Sequence, residues 1–226
     1  MPLWRLPDHF SDVLPSEARQ LESLRFAALE TLRTWGYELV APPLLEHLGA
    51  LTTGTAQDLE AVMFKLVDPA SGALLGIRAD VTPQVARIDA HLLNRQSPTR
   101  LCYCAPALRS VPSDAFSQRE LLQLGAELFG HAGAEADFEI QDLALAVLKK
   151  LGVTAAAKNV TLALSHSGVL TAVFEAHPHY AACKQHLCRL CKLKTAPIRA
   201  SWRRLMLRKA MHSCKPWLWL TVARTR

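Results

Sequence analysis

Residues 63–93 read MFKLVDPASGALLGIRADVTPQVARIDAHLL, and the order of signals in this stretch decides the fold class. Two short apolar runs, Met63–Val67 and Leu74–Arg78, flank Asp68-Pro69-Ala70-Ser71-Gly72. Proline fixes φ and glycine permits positive φ, so the runs pair as an antiparallel hairpin. Thr82 then stands as an N-cap with Pro83 at the first helical position, and Val85, Ile88 and Leu92 keep helical spacing to about Leu93. Arg78, Asp80 and Thr82 thus sit at a strand-to-helix junction, a usual place for ligand contacts. Antiparallel strands mixed with helices predict an α+β fold rather than a doubly wound α/β one.

Outward from this stretch the pattern continues. Apolar residues at Leu21, Leu24, Ala28, Leu32 and Trp35 predict an amphipathic helix over 16–35, with Ser16 as N-cap and Gly36 as its stop. Tyr37–Ala41 reads as a short strand ended by Pro42-Pro43, since neither proline can donate to a ladder. Arg100–Ala105 and Glu120–Phe129 are strands of one sheet joined through the polar, proline-containing loop Leu108–Asp114. Ala134–Leu151 is a second helix with Ile140, Leu143, Val147, Leu148 and Leu151 inward and Gly152 closing it, and Val160–Leu164 is a further strand. The sequence contains no Gly-rich phosphate loop, no nucleophile elbow and no internal repeat.

The 226 residues are 50% hydrophobic and 20% charged, enough for a sizeable core and incompatible with disorder throughout. No stretch approaches the apolar length of a membrane span, and the N-terminus carries prolines and acids where a signal peptide needs an apolar run, so a cytoplasmic protein is expected. The net charge of +6 is not uniform: residues 1–180 hold 14 Lys+Arg against 20 Asp+Glu, while 181–226 hold 12 Lys+Arg and no acid. The basicity belongs to the tail alone.

Taken in order, the segments are similar to the front half of a histidyl-tRNA synthetase, a class II aminoacyl-tRNA synthetase. They are the first helix, Gly36 to Glu46, the hairpin, Ile77 to Thr82, Tyr103 to Arg109, and Gln123-Leu124-Gly125-Ala126-Glu127-Leu128-Phe129-Gly130. The resemblance implies an antiparallel sheet flanked by helices, incomplete at the C-terminal side. It places Pro43 in the dimer-forming motif and Arg109 at the arginine that grips the nucleotide α-phosphate and the amino-acid carboxylate. Val111 stands where the synthetases carry the glutamate that reads adenine, and valine accepts no hydrogen bond. Asp80 replaces the glutamate of their first ligand loop. The run Arg78-Ala79-Asp80-Val81-Thr82-Pro83-Gln84 resembles instead the non-catalytic branch of the family, the regulatory subunits of ATP phosphoribosyltransferase, which open histidine biosynthesis together with a catalytic partner.

That resemblance implies no catalytic residue, no cofactor and no metal. It implies a retained or vestigial histidine site at Asp80, Thr82, Arg109, Gln123 and Glu127, self-association through the motif around Pro43, and a short-form ATP phosphoribosyltransferase catalytic subunit as partner. The chemistry of the set suits free histidine: carboxylates and amide oxygens for the ammonium, a guanidinium for the carboxylate, and hydrogen-bonding groups for the imidazole. Gln123 and Glu127, four apart on a strand, share one face. The spacing equally permits a structural ion pair between Glu127 and Arg109 with Gln123 facing solvent. The alternative function is a histidyl-tRNA synthetase fragment or divergent histidine-activating enzyme.

Cys102 and Cys104, two apart on a strand, are too tightly spaced for ordinary disulfide geometry and lack zinc partners, so they read as small core residues, and His166 reads as structural. The resemblance runs out near Phe174. A synthetase-like core over 1–176 is therefore followed by a basic tail over 177–226 that reads as poorly ordered or frameshift-derived. Two sharper readings of the tail lack specific spacing. Cys183, His186, Cys188 and Cys191 crowd into nine residues where zinc ribbons separate two ligand pairs, and the basic pairs Arg203-Arg204 and Arg208-Lys209 among tryptophans do not define a nucleic-acid site.

Overall fold

The computed structural model describes residues 4–52, 59–112 and 117–153, and the backbone of Trp219–Ala223. The chain divides into two compact units, Met1–Gly152 with Trp217–Arg226, and Val153–Pro216. Apart from Val153, the second lies outside the described residues. So do the strand expected over Val160–Leu164, His166, the zinc candidates Cys183 to Cys191 and the boundary expected at residues 176 and 177.

The first unit runs α1 (Pro15–Thr34), β1 (Glu38–Leu39), β2 (Leu45–His47), the single turn α2 (Leu48–Leu51), β3 (Phe64–Val67), β4 (Leu74–Ile77), α3 (Thr82–Arg87), β5 (Thr99–Leu108), β6 (Glu120–Phe129), α4 (Ala134–Lys150) and β7 (Trp219–Ala223). The main sheet has the order β1-β5-β6-β7, and a three-stranded sheet has the order β2-β4-β3. The hairpin of β3 and β4 is antiparallel, as its sequence predicts, with Val67 opposite Leu74. β5 and β6 form the long antiparallel pair at the centre, in register from Thr99 opposite Phe129 to Leu108 opposite Glu120. β7 lies parallel to β6, a strand that the sequence reading does not assign.

The pleat of β5 and β6 sorts their side chains onto two faces. Even-numbered Cys102, Leu124, Ala126 and Leu128 pack with Ala28 and Leu32 of α1 and Ala136, Ile140, Leu143 and Val147 of α4. Burying each large aliphatic side chain contributes roughly 1.5–3 kcal/mol, and this layer clamps both helices to one side of the sheet. Cys102 belongs to it as a core residue with a free thiol, burial pushing that thiol up to about 11. Odd-numbered Leu101, Tyr103, Ala105 and Phe129 face the other way, against Val81 and Val85. The candidate site lies on that odd face.

Several local expectations are corrected. α1 starts at Pro15 with Leu14 as N-cap, so Ser16 is not the cap, because proline at the first position already fixes the helical φ. Trp35 sits after the helix and is 38% exposed rather than inward. Gly36, at φ +83°, turns the chain into β1 in the left-handed region that side chains avoid. Beyond Arg87 the third helix widens into π-type turns over Ile88–Leu93 and stops at Asn94. The wider turn carries Leu92 out to solvent and brings Leu93 against the core in its place.

Candidate functional site

The site grows from the junction that follows β4. Val81, not Thr82, is the N-cap of α3, and the Asp80 carboxylate accepts the Thr82 N–H at 2.9 Å. Freed from capping, the Thr82 hydroxyl donates to Glu127 Oε1 at 2.8 Å. Its oxygen lies 3.0 Å from the Tyr103 hydroxyl, which in turn receives the Gln123 amide at 3.3 Å. With the threonine proton committed to Glu127, donation runs in one direction, from Gln123 to Tyr103 to Thr82 to Glu127. Gln123 also donates to Asp80 Oδ1 at 3.0 Å, and its carbonyl accepts the Val81 N–H at 3.0 Å. Two carboxylates, an amide, a hydroxyl and a phenol therefore form one connected network.

Tyr103 lies across β6 because its cross-strand partner is Gly125, between Gln123 and Glu127. A Cβ at Gly125 would stand 2.2 Å from the tyrosine Cζ. Tyr103 is a site residue that sequence reasoning missed; a tyrosine and a glycine on neighbouring strands were visible, but only the register sets them opposite each other.

Glu127 is fully buried, and its Oε2 has no hydrogen-bond partner among the described residues. Burial pushes its carboxyl up to about 8, with the nearby Asp80 charge adding to the effect and the Thr82 hydrogen bond opposing it. The structural ion pair between Glu127 and Arg109 does not form, and Gln123 is buried at 6% exposure rather than facing solvent. Arg109 stands one residue past β5, continuing the odd-numbered row of Tyr103 and Ala105, ~13 Å along the strand from the level of Gln123. The structure thus joins Asp80, Thr82, Gln123 and Glu127 directly and leaves Arg109 outside that network. Its buried Nε also has no partner among the described residues.

Arg78 has a different task. It is 2% exposed and donates through Nε to the Pro106 carbonyl at 2.7 Å, and through one terminal nitrogen to the carbonyls of Pro42 and Pro43 at 2.7 and 3.1 Å and to Gln84 Oε1 at 3.2 Å. Gln84 donates to the Pro43 carbonyl and to Glu46 Oε2. Arg87 sits 2.5 Å from Glu46 Oε1, a charge contact whose alignment falls short of a hydrogen bond. This second network ties β4, α3, β5 and the Pro42-Pro43 segment together, and it keeps Arg78 away from the carboxylates of the site. Neither Asp80 nor Glu127 is neutralised by it.

Val111 lies in the loop after Arg109, 56% exposed, and offers no acceptor there. Among the described residues no three His, Cys, Asp or Glu side chains gather closely enough to hold a metal ion. No described helix is long and apolar enough to cross a membrane.

A central antiparallel pair with helices on one face and a polar, carboxylate-bearing network on the other is the class II aminoacyl-tRNA synthetase arrangement. The chain belongs to the histidyl-tRNA synthetase family, whose model matches residues 9–214. It is 51% identical over 194 residues to an ATP phosphoribosyltransferase regulatory subunit of Bordetella pertussis, covering 86% of this chain and 49% of that protein. It is 52% identical over 197 residues to one of Ralstonia nicotianae, covering 87% and 50%. A crystal structure described as an ATP phosphoribosyltransferase regulatory subunit/histidyl-tRNA synthetase from Bacillus halodurans superposes with a TM-score of 0.61 at 30% identity, over 68% of this chain and 40% of that one. The chain thus spans about half the length of the curated relatives it matches. The family match passes Phe174 and reaches residue 214, so resemblance extends further than the sequence reading expects.

Proposed function

We propose that this chain is the synthetase-like portion of a regulatory subunit of ATP phosphoribosyltransferase, a partner of short-form catalytic chains that senses free histidine and carries out no chemistry itself. Half-identical relatives bearing that name support the subunit role. The observation that carries the ligand reading is the unsatisfied Glu127 Oε2, buried beside Asp80, Thr82 and Gln123, with the unsatisfied Arg109 Nε outside that network. An unpaired buried polar atom costs about 1–3 kcal/mol, which a cationic group of the right size would offset. Histidine offers an ammonium and an imidazole to the carboxylate end and a carboxylate to Arg109.

Self-association through the Pro43 motif is part of the proposal, supported by the exposed Leu39, Leu44 and Leu45 beside it. A cytoplasmic setting and a basic C-terminal segment without a metal or nucleic-acid site belong to the same reading. Histidine would regulate by binding two assembly states unequally, for which a coupling of ~1–3 kcal/mol suffices.

The test is a titration of a short ATP phosphoribosyltransferase catalytic chain with this protein, followed by size exclusion and activity, and calorimetry with histidine. A shared peak with raised partner activity is expected; unchanged activity with separate peaks refutes the subunit role. The family model itself favours one alternative, a histidine-activating enzyme. Histidine-dependent exchange of pyrophosphate into ATP would establish that alternative, and Val111 argues that none occurs.

A further inference from the structure

The buried Arg109 Nε has no hydrogen-bond partner among the described residues, which gives the backbone that carries the side chain a part in setting where it sits. That backbone is held at three consecutive amides. Leu108 N–H donates to the Arg78 carbonyl at 2.9 Å, Arg109 N–H to the Arg119 carbonyl at 2.8 Å, and Ser110 N–H to the Val62 carbonyl at 2.8 Å. Arg119 returns the bond: its Nε donates to the Arg109 carbonyl at 3.1 Å. Both backbone polar groups of Arg109 therefore end on this one residue.

Arg119 is itself gripped from two sides. Its guanidinium carbon lies 4.9 Å from the centroid of Phe10, in the N-terminal arm that precedes α1, and 4.9 Å from that of Phe64 on β3. Stacking on two aromatic faces orients a planar guanidinium and leaves its edge free to donate. The arm is pinned at the same place. Arg119 N–H donates to the His9 carbonyl at 2.9 Å, and His9 Nδ1 lies 3.1 Å from the Ser117 carbonyl, donating in the Nδ1–H tautomer. His9 holds φ at +65°, a conformation that non-glycine residues keep only where surrounding contacts fix it.

We infer that Arg119, clasped between Phe10 and Phe64, is the positioning residue for Arg109, so that the N-terminal arm helps to set the anion-binding end of the site. The inference rests on the reading of Arg109 as the partner of a ligand carboxylate. Arg119 acts through the Arg109 backbone and touches no ligand. Losing it should affect a ligand that bears a carboxylate and spare one that lacks it.

Calorimetry of the full chain with histidine and with histamine, its decarboxylated analogue, separates these effects. In Arg119→Ala, histidine affinity is expected to fall about tenfold or more while histamine affinity changes less than twofold, and Arg119→Lys should recover part of the loss. Phe10→Leu, which keeps apolar cover but removes one π face, should act in the same direction more weakly; it carries the test if Arg119→Ala does not fold. Equal losses for both ligands, or none for histidine, overturn the inference. Arginine Nε–H exchange by NMR gives a readout that needs no ligand: Arg109 Nε–H should exchange faster in either variant. If the wild-type chain binds neither ligand, the histidine reading falls, and unchanged Arg109 exchange would separately overturn the positioning role.

Discussion

Gly125→Ala adds a single methyl group to the middle of β6, and the structure gives it no room. The new carbon would stand 2.2 Å from Tyr103 Cζ, 2.3 Å from its hydroxyl oxygen and 2.6 Å from Cε1. The tyrosine cannot step aside cheaply: it is fully buried and tied by hydrogen bonds to Thr82 and Gln123. Overpacking of this kind costs typically ~1–3 kcal/mol, and losing one of these hydrogen bonds as the ring shifts adds about 1 kcal/mol, so a destabilisation of roughly 2–4 kcal/mol is expected. Elsewhere in a strand the same change should stabilise slightly, because alanine loses less backbone entropy on folding than glycine. Urea denaturation followed by circular dichroism measures the effect as a lower midpoint, and thermal melting as a fall of roughly 4–16 °C. Tyr103→Val costs stability alone but removes the clash, so the double variant should be more stable than the sum of the single effects implies. An unchanged midpoint in Gly125→Ala, or strictly additive behaviour in the double-mutant cycle, would refute the close approach of tyrosine and glycine as the basis of the site.

Glu127 makes a pH prediction with a definite sign. Its folded-state pKa, about 8, lies above that of an exposed carboxylate, so the folded chain holds a proton that the unfolded chain releases. Its contribution is fully present below about pH 4.5 and is lost as pH rises toward 8, on the order of a few kcal/mol, and Glu127→Gln should flatten that slope in denaturation curves. A cationic ligand bound at pH 7 should expel the proton, which calorimetry in buffers of different ionisation enthalpy would register as proton release. Arg78→Met leaves the carbonyls of Pro42, Pro43 and Pro106 without their donor and should cost ~3 kcal/mol or more, seen as a lower denaturation midpoint in the absence of any ligand. Glu139→Gln breaks a two-point contact with Arg100 and weakens the acceptor of the Tyr37 hydroxyl. Because Arg100 is 36% exposed, solvent screening limits the expected cost to about 1 kcal/mol, measurable in the same denaturation assay.

The elements of the fold were legible because they rest on local rules. Asp68–Gly72 fixes a turn whatever surrounds it, Gly36 stops a helix by its own conformational freedom, and the period of Ile140, Leu143 and Val147 marks a buried helix face without knowledge of what covers it. The five candidate site residues came from the family resemblance and the chemistry of the set, and the structure links Asp80, Thr82, Gln123 and Glu127 in one hydrogen-bond network that leaves Arg109 outside it. What sequence could not supply was register and desolvation. Tyr103 joined the site only when the ladder set it opposite Gly125, and Arg78 left it when its guanidinium met the proline carbonyls. Glu127 reads in sequence as an ordinary acid; burial, with the Asp80 charge nearby, is what raises its pKa, and one of its oxygens has no hydrogen-bond partner among the described residues. Residue type and spacing are properties of the chain, but the energy of a charge depends on everything around it, and that is fixed only when distant segments meet.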